Sequence, residues 1–272
     1  MVSRYCLEAV MQNISAQDTL IRKLTTHSRL STAESAAIAE LPARIMNYER
    51  GSFISRQTDF ARDAFVVLTG IACQQQTTRA GARQILTVYL SGDVANVDPG
   101  FAGESQDVIA ITPVEVALIS LDALNHIFTE FPNVGTAFRR EAASELALLQ
   151  SRLVSLGRCN ARQRIARFAC EMASRQRASG GSEPEFIEWP WTQEELGDLT
   201  GLTAVHVNRT LKSLREDGVL ALSRGRLQVT DWNAIEFAAG LNRNSTDQKR
   251  PALHKCLADL SLQPTQAEYR SI

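Results

Sequence analysis

Between Trp191 and Lys212 the chain carries residues whose types and spacing suit the reading of a DNA groove. Thr192 and Glu195 stand three apart, the spacing of a capping box that opens a helix. Gly201 suits the left-handed conformation that stops such a helix. Thr203 can then cap a second helix over Ala204 to Glu216. Val207, Leu211 and Leu214 recur at i, i+4 and i+7 and form the inner face of that second helix. Leu196, Leu199 and Leu202 supply the apolar residues that face it. Two short helices joined by a glycine turn fit a helix-turn-helix.

The residues left outward are Ala204, Val205, His206, Asn208, Arg209 and Lys212, most of them in the first turns, where a recognition helix meets base edges. Arg209 can fork to guanine O6 and N7, and Asn208 can pair with adenine. His206 can donate to a base acceptor or a phosphate, while Ala204 or Val205 can touch a thymine methyl. Lys212, one turn on, suits a phosphate. Thr192 and Thr203, at the two helix starts, complete the set expected to bind DNA. The competing reading is an ordinary exposed helix.

After Gly218, the run from Val219 to Val229 reads as two strands around Arg224-Gly225-Arg226. Such a hairpin can act as a wing with Arg224 and Arg226 near the DNA backbone, or be a solvated hairpin whose arginines do nothing. Residues 158–230 hold 11 Lys/Arg against 9 Asp/Glu, so the face rather than the net charge must supply attraction.

These side chains need elements to position them. Helical patterns open the chain around Ala16 to Leu24 and Ser31 to Leu41, the second with a Ser31/Glu34 capping box. From Arg44 short β-rich runs alternate with glycine turns: Phe53-Ile54, Ala64 to Leu68, Ile71 to Cys73, Gln84 to Leu90 and Val108 to Ile119. A β-roll, barrel or sandwich is implied. A helix then starts near Pro132 and is expected to run to Leu156, with Gly157 as its stop. In it Ala142, Leu146, Leu149, Leu153 and Leu156 step by four, three, four and three, the seam of a coiled coil. This predicts a homodimer through those five residues; the alternative is a core helix packed on its own β-domain. A further helix is expected near Ala161 to Arg175, then a surface loop over Gly180 to Pro184.

At 272 residues, with 44% hydrophobic and 22% charged side chains, the chain has room for two globular domains. No apolar run approaches the roughly 18 residues of a membrane helix. The first twenty residues lack a basic cluster followed by an apolar stretch, so no secretory signal and a cytoplasmic location are expected. Cys6, Cys73, Cys159, Cys170 and Cys256 are scattered, which argues for buried reduced thiols rather than a disulfide framework or a compact metal motif. Neither a glycine-rich phosphate loop, nor paired metal-binding histidines, nor a nucleophile motif is present, so an enzyme is not expected.

From about Leu30 to Leu241 the sequence resembles the CRP/FNR family of dimeric bacterial regulators. The resemblance is carried by Leu153 to Arg158, Arg162 to Glu171, and Thr203 to Arg215 including His206-Val207-Asn208-Arg209-Thr210-Leu211. Phe65 to Gly70 and Leu90-Ser91-Gly92-Asp93-Val94 look like the cyclic-nucleotide-binding-type roll of that family. The resemblance implies an α+β architecture: an N-terminal β-roll sensor, a long dimerisation helix, and a C-terminal winged helix-turn-helix. The expected boundaries are 1–130 for the roll and its N-terminal helices, 131–157 for the dimerisation helix and hinge, and 158–238 for the DNA-binding domain. A polar tail, 239–272, is expected to be poorly ordered or loosely docked. Arg209 falls where the family's base-reading arginine lies, while Val205 replaces a glutamate frequent in the family. RNA polymerase is the further partner implied, beside double-stranded DNA.

The sensor departs from the family's nucleotide binders, which hold the cyclic phosphate with an arginine near a Gly-Glu pair. The corresponding stretches here are Asn96-Val97 and Gly103 to Asp107, and no Lys or Arg occurs from Gln84 to Phe138. A buried phosphate without a cation is costly, so neither cAMP nor cGMP is expected. The family's iron-sulfur cluster is not expected either, since Cys6 is alone near the N-terminus. Heme, with His27, His126 or Cys73 as candidate ligands, is likewise not expected. The expected function is a DNA-binding transcription regulator controlled by an unidentified signal; the alternative is a ligand-binding signalling module whose winged helix makes protein contacts.

Overall fold

The structure, a computed structural model, describes residues 15–56, 62–97, 107–180 and 186–241. These divide into two compact units, one ending at Ser144 and one beginning at Glu145. The expectations placed on Cys6, on Gly103 and Glu104, on most of the 180–184 loop and on the tail beyond Leu241 lie outside the described residues.

Unit 1 opens with helices α1 (Ala16–Thr25) and α2 (Thr32–Ala39), each begun by a serine capping box, Ser15 with Asp18 and Ser31 with Glu34. The strands that follow are β1 (Arg44–Tyr48), β2 (Phe53–Ser55), β3 (Asp63–Thr69), β4 (Ala72–Thr77), β5 (Arg83–Tyr89), β6 (Val94–Ala95), β7 (Asp107–Ala110) and β8 (Val114–Ser120). They form two four-stranded sheets, ordered β1-β8-β3-β6 and β2-β7-β4-β5. Every strand pairing is antiparallel. The run Val108 to Ile119 is therefore two strands, because Ile111 and Thr112 turn back to donate to the Ile71 carbonyl.

Alternation along the central strands makes two cores. Phe65 and Val67 of β3, with Val114 and Val116 of β8, pack with Tyr89 and Val108 from the second sheet. Ala64 and Val66, with Ala117 and Ile119, face the opposite way, toward Leu20, Leu24 and Ile38 of the N-terminal helices. Helix α3 (Leu121–Glu130) and the start of α4 (Pro132–Arg158) close this second core with Leu124, Val134 and Phe138.

Helix α4 runs through Gly157, which keeps a helical backbone and is not the stop that its position suggests. The chain instead restarts at Asn160, whose side chain and Gln163 exchange reciprocal hydrogen bonds of 2.9 Å with each other's backbone N–H. Unit 2 continues with α5 (Ala161–Gly180), β9 (Ile187–Glu188), α6 (Gln193–Thr200), α7 (Ala204–Glu216), β10 (Leu220–Ser223), β11 (Arg226–Val229) and α8 (Trp232–Ala238). Helix α5 is five residues longer than the periodicity suggests. Its Ile165, Phe168 and Met172 are buried together with Leu196, Val207, Leu214, Leu220 and Leu227. Phe168 packs its ring against Trp189 and Trp191, at centroid distances of 5.2 and 5.4 Å.

Candidate nucleic-acid interface

The geometry of α6 and α7 follows from their caps. Thr192 accepts from the Glu195 N–H at 3.1 Å, while the Glu195 carboxylate accepts from the Thr192 N–H at 2.8 Å. Gly201 ends α6 at φ 64°, and Thr203 accepts from the His206 N–H to begin α7. The turn is also tight at Gly197, where a Cβ would stand 2.5 Å from the Leu202 carbonyl oxygen. Only glycine lets the two helices approach this closely, a requirement the sequence pattern leaves unmarked.

Along α7 the inward set is Val207, Thr210, Leu211 and Leu214, all buried. Val205, His206, Asn208, Arg209 and Lys212 are exposed, Val205 by 71%, and Ala204 is half-buried. The six residues expected to face DNA are thus brought to one face, with Thr203 exposed at its head. Lys212 also has an intrahelical neighbour, its Nζ lying 3.7 Å from a Glu216 oxygen. Thr192 lies at the opposite end of α6 and is engaged in its own cap.

The hairpin β10–β11 pairs Leu220 with Val229 and Ser223 with Arg226. Its two-residue tip, Arg224 at φ 49° and Gly225 at φ 74°, has the doubly left-handed form of a type I′ turn. Arg224 and Arg226 are both exposed. Arg226 stands across from Glu188 on β9. Burial pushes the Glu188 carboxyl above its ordinary range, and the nearby Arg226 only partly offsets this.

Several groups that hold this face escaped sequence reasoning, because their partners are distant in the chain. Arg162 on α5 donates to Ser213 Oγ at 2.9 Å and pairs with Asp217 at 2.6 Å. Arg164 donates to the Cys159 and Thr200 carbonyls, and Arg167 to the Ala239 carbonyl. Arg152 of α4 grips Glu171 of α5 with two nitrogens, at 2.6 and 3.1 Å, and Arg175 adds a third contact at 3.2 Å. Burial would raise the Glu171 carboxyl, but the two guanidiniums outweigh it and hold the group below its ordinary value.

The leucines of the predicted α4 seam are exposed, Leu146 by 55%, Leu149 by 41% and Leu153 by 70%, with Ala142 exposed too. Leu156 differs. It is half-buried and turned toward Gly201.

In unit 1, Lys23 places its ammonium 2.8 Å from Asp93 and 2.9 Å from Glu141. Burial works against that charge, but the two carboxylates outweigh it and raise the Lys23 pKa. His27 Nε2 lies 3.8 Å from Glu141, and His126 is exposed 3.7 Å from Glu130. Cys73 and Cys170 are buried and Cys159 is half-buried, so burial of the cysteines is not uniform. Among the described residues no helix is long and apolar enough to cross a membrane.

A Crp-like helix-turn-helix domain model matches residues 163–237, and a cyclic nucleotide-binding domain model matches residues 45–131. Fold and matches together define a transcription regulator whose sequence carries first a roll of the cyclic-nucleotide-binding type and then a DNA-binding helix-turn-helix. The chain belongs to the CRP/FNR family. It is 29% identical over 229 residues to the transcriptional activator protein FnrL of Cereibacter sphaeroides, covering 82% of this chain and 91% of that one. It is 24% identical over 232 residues to the fumarate and nitrate reduction regulatory protein of Escherichia coli, covering 85% and 92%. The structure of FixK2 from Bradyrhizobium japonicum shares the fold, with a TM-score of 0.68 at 24% identity over 75% of this chain and 100% of that one.

Proposed function

We propose that the protein is a cytoplasmic homodimer that binds palindromic promoter sites and has no enzymatic activity. The observation that carries this reading is the sorting along α7, where Val205, His206, Asn208, Arg209 and Lys212 face solvent while Val207, Leu211 and Leu214 are buried. Arg209 and Asn208 read base edges, Lys212 and the wing arginines meet phosphate, and Thr192 and Thr203 lie at the helix starts. Two copies pair through Ala142, Leu146, Leu149 and Leu153, whose exposure supports a seam; Leu156 contributes at its edge. Pairing sets two copies of α7 into successive major grooves about 34 Å apart. Residues 1–130 act as sensor, 131–157 as dimerisation helix and hinge, and 158–238 as the DNA-binding domain, followed by the tail. A signal at the roll shifts the population of binding-competent dimers, and RNA polymerase is the partner at the promoter. The absence of Lys and Arg from Gln84 to Phe138 supports an effector other than cAMP or cGMP.

Selection of bound sequences from a random DNA pool tests this. The wild-type protein is expected to recover a palindrome with half-sites about one helical turn apart. Arg209→Ala should lose about 1–3 kcal/mol and relax preference at one base pair per half-site. Unchanged selectivity in that variant removes Arg209 from its role. If neither the purified protein nor the protein in cell extract enriches any sequence, the DNA-binding reading fails.

A further inference from the structure

Unit 2 carries a cleft that the DNA-reading face does not use. Leu148, Leu156, Phe168, Leu199 and Leu241 line it around about 710 Å³ of empty space, its open mouth included. Its arginines are turned to other work. Arg164 donates to the Cys159 and Thr200 carbonyls, Arg167 to the Ala239 carbonyl, and Arg152 to Glu171. The surface that remains is apolar, and it suits an apolar occupant better than an anion. Along α4 the cleft takes Leu148, Ser151, Arg152, Ser155 and Leu156, the last of these also at the edge of the predicted seam. The exposed stripe is Leu146, Leu149 and Leu153, roughly 120° away around the helix. A second copy paired through Leu146, Leu149 and Leu153 meets the cleft only at Leu156.

The chain itself supplies an occupant. Leu241, the last described residue, is part of the cleft wall, so residues 242–272 depart from its rim. Residues 242–251 are polar and end in Pro251, a residue favoured at the first turn of a helix. Residues 252–262 then read Ala-Leu-His-Lys-Cys-Leu-Ala-Asp-Leu-Ser-Leu, with Pro264 beyond. Leu253, Leu257 and Leu260 recur at i, i+4 and i+7, one apolar helical face. A linker of that length reaches up to about 33 Å and holds the segment near the cleft at roughly millimolar effective concentration. Weak intrinsic affinity is then enough.

We propose that residues 252–262 fold back into this cleft as a helix and seat Leu253, Leu257 and Leu260 against Phe168 and Leu199. The tail becomes an intramolecular wedge beneath the end of α6, next to the Gly201 turn. The inference rests on the geometry of unit 2 and stands apart from the DNA-binding reading, so its test contains no DNA. Amide hydrogen exchange is compared between the wild-type chain and full-length Leu257→Asp, with Leu253→Asp as a second disrupting variant. Peptides spanning 148–156 and 164–171 should exchange on the order of tenfold faster in both variants, while those covering β3 and β8 stay unchanged. A synthetic peptide of residues 250–264 at millimolar concentration should restore slow exchange to Leu257→Asp. It should also shift the emission of Trp189 and Trp191, which both pack on Phe168. Equal exchange in wild type and both variants overturns the proposal. So does slow exchange that strengthens with protein concentration, which assigns the cleft to a second copy.

Discussion

Each unit buries a three-membered ionic cluster that includes a residue of α4, and the two clusters have opposite composition. In unit 1 one ammonium, Lys23, serves two carboxylates, Asp93 and Glu141. In unit 2 one carboxylate, Glu171, serves two guanidiniums, Arg152 and Arg175. The second cluster is the better satisfied. Both Glu171 oxygens accept hydrogen bonds, whereas Glu141 Oε2 is buried without one among the described residues. A planar guanidinium fork fills two acceptor sites at once, and a point-like ammonium cannot. The cluster in unit 1 is thus less fully hydrogen-bonded than the one in unit 2.

The central member of each cluster should matter most, because its loss strands two like charges. Glu171→Ala leaves two buried arginines and should destabilise unit 2 by about 3–5 kcal/mol. Denaturation followed by tryptophan fluorescence reads this directly, since Trp189, Trp191 and Trp232 are the only tryptophans and all lie in unit 2. Lys23→Met should cost unit 1 about 3 kcal/mol, less than its counterpart because the Lys23 side chain is already 25% exposed. Exchange of the β3 amides measures it. A larger loss from Lys23→Met than from Glu171→Ala would break the ranking.

Outer members should cost less. Arg175→Met leaves the Arg152–Glu171 pair intact, and Glu141→Gln leaves the Lys23–Asp93 pair, so each should lose about 1 kcal/mol. A loss as large as that of the central residue would show that the cluster acts as an indivisible unit. The responses to pH should run in opposite directions. Glu171 has a folded pKa below its ordinary 4.5, so its contribution is complete above that value and fades as pH falls through the folded pKa. Lys23 has a folded pKa above its ordinary 10.5, so its contribution is complete below that value and fades as pH rises through the folded pKa. Acid titration of the wild type against Glu171→Gln, and alkaline titration against Lys23→Met, should show the stability difference narrowing in those two windows.

The helix-turn-helix was legible because its signals are local. Thr192/Glu195, Gly201 and Thr203 each act within a turn of their own position, and the leucine spacing fixes which face is inside. The β-rich run Ala64 to Leu68 was legible as a strand, whereas Val108 to Ile119 concealed the turn that separates β7 from β8. Neither ionic cluster was, since Lys23 meets Asp93 from 70 positions away and Arg152 meets Glu171 across 19. No periodicity connects such residues. Gly157 misled for a related reason. A glycine after an apolar helix usually marks a stop, but here Asn160 and Gln163 provide the next start and α4 continues to meet it. Leu156 kept the heptad spacing yet lies half-buried near Gly201, because spacing assigns a face but not its neighbour.

The tip of the β10–β11 hairpin has a consequence for engineering. Position 224 is left-handed, a conformation that asparagine or glycine adopts far more readily than arginine. Arg224→Asn should therefore raise the stability of unit 2 by about 0.5–1 kcal/mol while removing one positive charge. If the wing touches phosphate, the salt dependence of DNA binding should flatten by about one ion per subunit in the same variant. At this one exposed position the backbone favours asparagine while the side chain supplies a positive charge, so stability and charge change in opposite directions on substitution.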